Sequence, residues 1–137
     1  MIDYLERCTT RQDRMLVTWF APEYYVFAGR GFAAGHAMFL RASFATEHDQ
    51  ARMLERLDGE SVPVVLVNET EHAEFAQAFP RVAAHIAGRY TVRTRFHHND
   101  DTVIGVAIRN DLAPPAITAG APWVCGAPVQ TLSEKGS

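Results

Sequence analysis

The stretch V-P-V-V-L-V, residues 62–67, is the strongest strand signal in the chain. It is rich in β-branched residues and uncharged, and it is too short for a typical helix. Pro63 is expected near its first residue, because proline cannot donate to the middle of a strand ladder. A second apolar run, M-L-V-T-W-F at residues 15–20, has the same character. Both runs are predicted to be buried, adjacent and parallel strands.

Helix signals fall between and around these strands. Thr46 followed by Asp49 predicts a capping box at the start of one helix, with Ala51, Leu54 and Leu57 on its buried side, helped by Met53. Pro80 predicts that a new helix begins there, because proline suits the first helical turn. The predicted helices cover residues 2–10, 22–29, 47–57, 69–79 and 80–88.

From residue 89 onward the spacing of apolar residues changes to every second position. Residues 89–96, R-Y-T-V-R-T-R-F, alternate in the way that is typical of a half-exposed strand. The polar run H-H-N-D-D then predicts a loop of four to five residues, followed by the strand T-V-I-G-V-A-I-R. Residues 89–109 are therefore predicted to form an antiparallel hairpin, and residues 35–44 a further short strand.

These elements predict one α/β domain. The expected architecture is a three-layer, Rossmann-like sandwich with a mostly parallel sheet and an antiparallel C-terminal hairpin. Residues 1–12 form an N-terminal helix in this scheme, residues 14–110 the α/β core, and residues 111–137 an irregular tail rich in proline and glycine. A chain of 137 residues is large enough to bury a core without a metal or a dense set of disulfides.

Composition excludes several classes of partner. The formal net charge of −3 and the scattered basic residues argue against a nucleic-acid surface. The uncharged run at residues 112–133 is long enough to cross a bilayer, but four prolines and two glycines prevent a continuous helix. No signal-peptide pattern precedes the first strand. A cytoplasmic protein fits these observations, and so does a soluble piece of a larger membrane protein.

The glycines of G-R-G-F-A-A-G, residues 29–35, resemble a dinucleotide-binding fingerprint in spacing only. A phosphate cradle needs its glycines between a strand and the helix that follows. Here that turn is F-A-P-E, it contains no glycine, and Glu23 would repel a phosphate. The pattern therefore favours a helix stop and a tight turn, and no cofactor is predicted.

An aromatic segment offers a candidate ligand surface. Trp19, Glu23, Tyr24 and Arg30 would combine ring faces with charged groups near the carboxyl ends of the parallel strands, where ligands of open α/β sheets bind. Such a surface suits a sugar, whose C–H faces pack on rings. The alternative is packing, with Tyr24, Phe27 and Phe32 in the core and Glu23 paired with Arg30. The six histidines show no spacing typical of a zinc site, so no metal is predicted.

The two cysteines, Cys8 and Cys125, lie near opposite ends of the chain. They are either unrelated buried thiols or one disulfide that ties the tail to the first helix. A bond across so long a loop stabilises by about 4–5 kcal/mol in the chain-entropy model. It would also imply an oxidising compartment.

An ordered series of short motifs covers most of the chain, from about Tyr4 to Gly126. They are C-T-T-R-Q-D-R-M-L-V-T-W-F-A-P-E-Y-Y-V-F-A-G-R-G-F-A-A-G-H, D-Q-A-R-M-L-E-R-L-D-G-E-S-V-P-V-V-L-V-N-E, F-P-R-V-A-A-H-I-A-G-R-Y-T-V and P-W-V-C-G. In these motifs the chain resembles the C-terminal soluble domain of bacterial membrane glycosyltransferases of the dolichyl-phosphate-mannose-mannosyltransferase-like type, which use polyprenyl-phosphate sugars.

The resemblance implies an accessory role rather than catalysis. In such enzymes the multi-pass membrane part holds the donor and carries the acidic base, and no catalytic residue can be carried over to this chain. The domain would face the periplasm or the cell exterior and contact the membrane-embedded region of its own parent protein. It would help to bind a carbohydrate or lipid-linked acceptor. The motifs include Cys8 and Cys125, which favours the disulfide. The alternative is a free-standing soluble α/β protein that binds a small molecule or acts as an enzyme, with a cytoplasmic location.

Overall fold

The computed structural model describes residues 1–40 and 43–112. This part of the chain folds as a mixed α/β structure around one five-stranded sheet. The elements follow in the order α1 (Ile2–Cys8), β1 (Arg14–Val17), α2 (Glu23–Ala28), β2 (Gly31–Phe32), α3 (Glu47–Gly59), β3 (Val64–Asn68), α4 (His72–Ala78), α5 (Pro80–Arg89), β4 (Tyr90–Asn99) and β5 (Thr102–Arg109).

The sheet has the strand order β2-β1-β3-β5-β4. Strand β1 pairs in parallel with both β2 and β3, and Met15 lies opposite Val64. The prediction of adjacent, parallel and buried strands is confirmed for residues 15–17 and 64–67, whereas Trp19 and Phe20 lie beyond the end of β1 and Phe20 is exposed. Strand β5 is antiparallel to β3 and to β4, so it alone runs against the other strands of the sheet. The predicted C-terminal hairpin is confirmed as well.

Apolar side chains of the strands point alternately to two faces of the sheet. On one face, Met15, Val17 and Leu66 pack against α1 and α2, and we call it the α1–α2 face. On the other face, Leu16 and Val65 pack against α3, α4 and α5, and we call it the α3–α5 face. All five residues of β3 are buried, because this strand is central and covered on both sides.

A bulge at Arg93 explains an irregularity in the alternation of β4. Val92 pairs with Ala107 and Thr94 pairs with Val106, so one residue is extra on β4. The strand changes face at this point: Val92 packs with the α3–α5 cluster, whereas Phe96 packs with the α1–α2 cluster. The predicted half-exposed strand is correct, but its apolar residues serve two faces rather than one.

Two predicted local structures are wrong. The H-H-N-D-D run is not a loop of four to five residues, because β4 extends to Asn99 and β5 begins at Thr102. The second strand lies at Gly31–Phe32 and not within residues 35–44. In the latter segment Gly35 and Phe44 have positive φ angles, of 76° and 58°, which a strand does not allow.

Caps were more predictable. Thr46 Oγ1 accepts from the Asp49 N–H at 3.1 Å, and the Asp49 side chain accepts from the Thr46 N–H, so the capping box is confirmed. Gly29 ends α2 in the left-handed region, as expected. The buried side of α3 is formed by Gln50, Met53 and Leu57, while the predicted Ala51 and Leu54 are only half-buried.

Residues 113–137 lie outside the described residues, and with them most of the predicted irregular tail. Cys8 is half-buried at the end of α1 and packs against the α1–α2 cluster. Its predicted partner, Cys125, belongs to the residues that are not described, so the disulfide stays a prediction. Within residues 1–40 and 43–112, no helix is both long and apolar enough to cross a membrane.

Candidate functional site

A cleft of about 190 Å³ lies where β1 and β3 end, and we call it the aromatic cleft. The carboxyl ends of parallel strands are the usual place for a ligand in an open α/β sheet. Its apolar wall comes from the β1 end, the loop before α3, and helices α4 and α5. The residues that line it are Thr18, Trp19, Phe20, Phe39, Leu40, Asn68, Glu71, Glu74, Phe75, Ala78 and Phe79.

Two aromatic residues follow β1 directly and form one lip of the cleft. The Trp19 ring packs edge-to-face on Tyr24, with centroids 5.6 Å apart, which fixes its position. Phe20 is 62% exposed although it is a large apolar side chain. An exposed ring beside a cleft is available to pack against a ligand, whereas a core ring is not.

The opposite wall is a packed cluster of phenylalanines. Phe39 lies edge-to-face against both Phe75 and Phe79, with centroids 5.4 Å and 5.1 Å apart. Phe75 and Phe79 are one turn apart at the junction of α4 and α5, and their rings stack at 5.5 Å. This wall is therefore rigid, because each ring is held by the other two.

Polar groups enter the cleft from the end of β3. The Asn68 side chain is buried, and its Oδ1 accepts from the Thr70 N–H at 3.1 Å and the Glu71 N–H at 3.3 Å. This turn leads the chain into α4. The Asn68 amide nitrogen makes no hydrogen bond to another described residue, so it can donate to a ligand. Glu71 and Glu74, three residues apart, add carboxylates to the same wall.

The four residues predicted from the sequence do not form one surface. Trp19 lines the cleft and Tyr24 supports it from beneath. Burial raises the pKa of the Tyr24 hydroxyl, and the nearby Glu23 carboxylate raises it further. Glu23 itself is exposed in the first turn of α2 and does not line the cleft.

Arg30 lies at the other end of the sheet. Its neighbour Gly31 pairs with Arg14 at the start of β1, whereas Trp19 lies beyond the end of that strand. The guanidinium donates to Thr9 Oγ1 at 2.8 Å and to the Thr9 carbonyl at 3.1 Å. It also donates to the carbonyl oxygens of Glu6, Ala28 and Gly29. Arg30 therefore joins the ends of α1 and α2 and is not part of the cleft.

The packing alternative is also only partly right. Tyr24 is in the core, as that alternative requires, but Phe27 and Phe32 are exposed. Glu23 and Arg30 form no ion pair, because the Arg30 guanidinium donates instead to Thr9 and to carbonyl oxygens.

Sequence reasoning missed most of the cleft. Asn68 and Glu71 follow β3, so the rule that pointed to Trp19 after β1 would have found them had it been applied to both strands. Phe39 carried no such signal, because it was assigned to a strand that does not form.

Within residues 1–40 and 43–112, no group of three or more His, Cys, Asp or Glu side chains is placed to hold a metal ion. The chain matches no family model, no curated protein and no solved structure. The geometry of the cleft is accordingly the basis for any statement about function.

Proposed function

We propose that this chain is a non-catalytic, extracytoplasmic accessory domain of a membrane glycosyltransferase-like protein, and that the aromatic cleft binds a carbohydrate. The observation that carries the proposal is the combination in one cleft of exposed ring faces, a buried amide and two carboxylates. Ligand sites are lined mostly by apolar and aromatic side chains with a few placed polar groups, and this cleft has that composition.

The polar groups favour a neutral, hydroxyl-rich ligand. The Glu71 carboxylate lines the cleft and would repel an anion. Carboxylates accept hydrogen bonds from hydroxyls, and the Asn68 amide nitrogen donates one. The rings of Trp19 and Phe20 can pack on the C–H face of a pyranose. A volume of about 190 Å³ suits one sugar unit rather than a long glycan chain.

We also propose the three-layer, Rossmann-like description of the fold. Its support is the alternation of β1 and β3 side chains between two clusters, one against α1 and α2 and the other against α3, α4 and α5. In this arrangement the cleft would lie at the edge where such folds bind ligands.

The resemblance in sequence motifs supports the identity of the parent protein and its location. The partner would be the membrane-embedded region of the same polypeptide, and the carbohydrate would belong to an acceptor. A bond between Cys8 and Cys125 would support the extracytoplasmic side. Thiol labelling of the denatured protein without reductant tests it: two reactive thiols would favour the free-standing, cytoplasmic alternative.

Binding can be tested by titrating the ¹⁵N-labelled protein with neutral mono- and disaccharides, such as methyl α-mannoside, maltose and cellobiose. We expect shifts of the Trp19 indole N–H and the Asn68 side-chain amide. A Kd near 1 mM corresponds to about −4 kcal/mol, which is reasonable for a few stacked and hydrogen-bonded groups. Absence of saturable shifts at these two groups with every saccharide would refute the proposal.

Two phenylalanines provide a matched pair of variants. Phe20 and Phe27 are both 62% exposed, but only Phe20 lines the cleft. Phe20→Ala should weaken saccharide binding about tenfold or more, as loss of a stacked ring does, while Phe27→Ala should leave it unchanged. Equal effects of the two substitutions would show that the ligand does not occupy the aromatic cleft.

A further inference from the structure

A second cavity, of about 230 Å³, lies between residues 34–36 and helix α3, and we call it the cationic cavity. Arg52 and Arg56, one turn apart on α3, both line it. Neither guanidinium forms an ion pair with a described residue. The acid in the lining is Asp49, whose carboxylate accepts from the Thr46 N–H and hydroxyl. Two guanidinium charges therefore face one carboxylate that is already bonded.

The backbone beside the cationic cavity is held in unusual conformations. Ala34 and Phe44 have φ angles of 61° and 58°, and among the described residues these are the non-glycine positions with positive φ. Gly35, which follows Ala34 in the chain, has a φ of 76°, and a Cβ there would lie 2.8 Å from Arg56 Nη1. Such strain persists at ligand sites, where neighbouring contacts enforce it. The Arg56 guanidinium thus packs against the backbone of this turn, at a position that has no side chain.

His36 adds a third nitrogen-bearing group. Its ring lies 5.0 Å from the Phe44 ring and 6.2 Å from the Phe39 ring, which fixes its orientation. Burial lowers the pKa of His36, Asp49 raises it, and Arg56 lowers it further. At neutral pH the imidazole is therefore uncharged, and one ring nitrogen can donate a hydrogen bond.

An apolar groove of about 200 Å³ continues from the cationic cavity, and the two share Gly35, His36 and Phe44. The groove is also lined by Phe32, Met38 and Leu40, which are about 40% exposed. Large apolar side chains rarely lie together in water without a ligand or partner. The charged and apolar halves form one continuous surface.

We propose that this surface binds one single-chain amphiphile with a phosphate headgroup. The phosphate would lie between Arg52 and Arg56, since guanidinium groups bind phosphate oxygens in pairs and two like charges one turn apart repel each other without an anion. The alkyl chain would lie in the apolar groove. A concave groove fits one chain rather than a flat bilayer. The two arginines lie outside the aromatic cleft, although Leu40 lines both that cleft and the apolar groove, and the proposal does not depend on a carbohydrate ligand.

The test is a titration of the ¹⁵N-labelled full chain with dodecyl phosphate below its micelle concentration, in parallel with inorganic phosphate and dodecyl maltoside. We expect saturable shifts at the amides of Gly35 and His36 and at the Nε–H groups of both arginines. Dodecyl phosphate should bind at least tenfold more tightly than inorganic phosphate, because its chain is buried. Dodecyl maltoside should not shift the arginine resonances.

Variants separate the two halves of the site. Arg52→Gln/Arg56→Gln should weaken dodecyl phosphate binding at least tenfold. The charge-matched Arg11→Gln/Arg93→Gln alters two exposed arginines outside both cavities and should leave the affinity unchanged. Met38→Gln should weaken dodecyl phosphate but not inorganic phosphate.

Three results would overturn the proposal. They are equal affinity for dodecyl phosphate and inorganic phosphate, equal effects of the two double substitutions, and binding to phosphatidylglycerol vesicles without any arginine shift by dodecyl phosphate. The last result would assign the surface to a bilayer. None of them bears on saccharide binding in the aromatic cleft, so the two proposals fail independently.

Discussion

The two faces of the sheet differ in how many of their buried residues also line a cavity. On the α1–α2 face the buried residues pack closely, and none of them lines the aromatic cleft or the cationic cavity. On the α3–α5 face, core residues such as Phe39, Phe79 and Met53 are also cavity walls. The first face contributes only the partly buried Trp19, held by Tyr24, to the aromatic cleft, whereas the second supplies buried core residues to the walls of both candidate sites. Substitutions on the two faces should separate stability from binding.

The largest effect on stability is expected from a cavity created in the α1–α2 face. Leu5 lies on the buried side of α1 and is 0% exposed. Leu5→Ala should therefore lower the free energy of unfolding by about 2–5 kcal/mol. Urea denaturation followed by circular dichroism measures this change. Val26→Ala, at a residue that is 77% exposed on α2, should change stability by less than about 0.5 kcal/mol. If Leu5→Ala altered the binding of saccharide to the folded protein, the separation of the two faces would be wrong.

A smaller effect is expected from one hydroxyl on the same face. The Val17 N–H donates to the Tyr25 hydroxyl at 3.0 Å inside the core. Tyr25→Phe keeps the ring but leaves this N–H unsatisfied, which should cost about 1–3 kcal/mol. Tyr24→Phe is the matched control, because the Tyr24 hydroxyl makes no hydrogen bond to a described residue. Equal thermal and urea stability of the two variants would contradict the assigned role of this bond.

The smallest expected effect is a pH dependence of stability that arises from two histidines on the α3–α5 face. Burial lowers the pKa of His36 and of His85 below 6.5, the value expected in the unfolded chain. The unfolded state then binds more protons, so the free energy of unfolding should fall as pH drops from about 7.5 to about 5. Asp13 affects stability only at lower pH. Its pKa in the folded protein is lowered from 3.8, so its contribution to the free energy of unfolding is lost only as pH falls below that value.

Substitution of both histidines checks this assignment. His36→Gln/His85→Gln should flatten the pH dependence of urea stability, while His98→Gln, at an exposed position on β4, should leave the slope as it is. A slope that survives in the double variant would place the titrating groups elsewhere, and the proposed difference between the faces would not extend to pH.

Much of the fold follows from local chemistry that a sequence displays. The capping box at Thr46 and the left-handed stop at Gly29 are each made by residues a few positions apart. Strand β3 is uncharged throughout because it is covered on both sides. The hairpin alternates because one side of β4 is exposed. In each case the physical cause and the pattern lie in the same short segment.

The errors arise where conformation depends on distant contacts. The segment 35–44 is apolar enough to resemble a strand, but His36, Met38 and Phe44 line the cationic cavity or the apolar groove instead. Arg30 was expected near Glu23, seven residues away, yet its donors satisfy Thr9 and the carbonyl oxygens that end α1 and α2. The aromatic cleft combines Phe20, Phe39 and Phe75 from three separate segments, and no local pattern relates them.

The two edges of the sheet determine how this protein meets copies of itself. Strand β2 has two residues, and Arg14 Nη1 donates to the Phe32 carbonyl at 3.1 Å. At the opposite edge, β4 is long, but the bulge at Arg93 breaks the regular register of the strand. Open strand edges are where β proteins assemble into fibrils and swapped oligomers. One edge is too short to template a new strand and the other is irregular at the bulge, so the described sheet is a poor template for strands from other molecules.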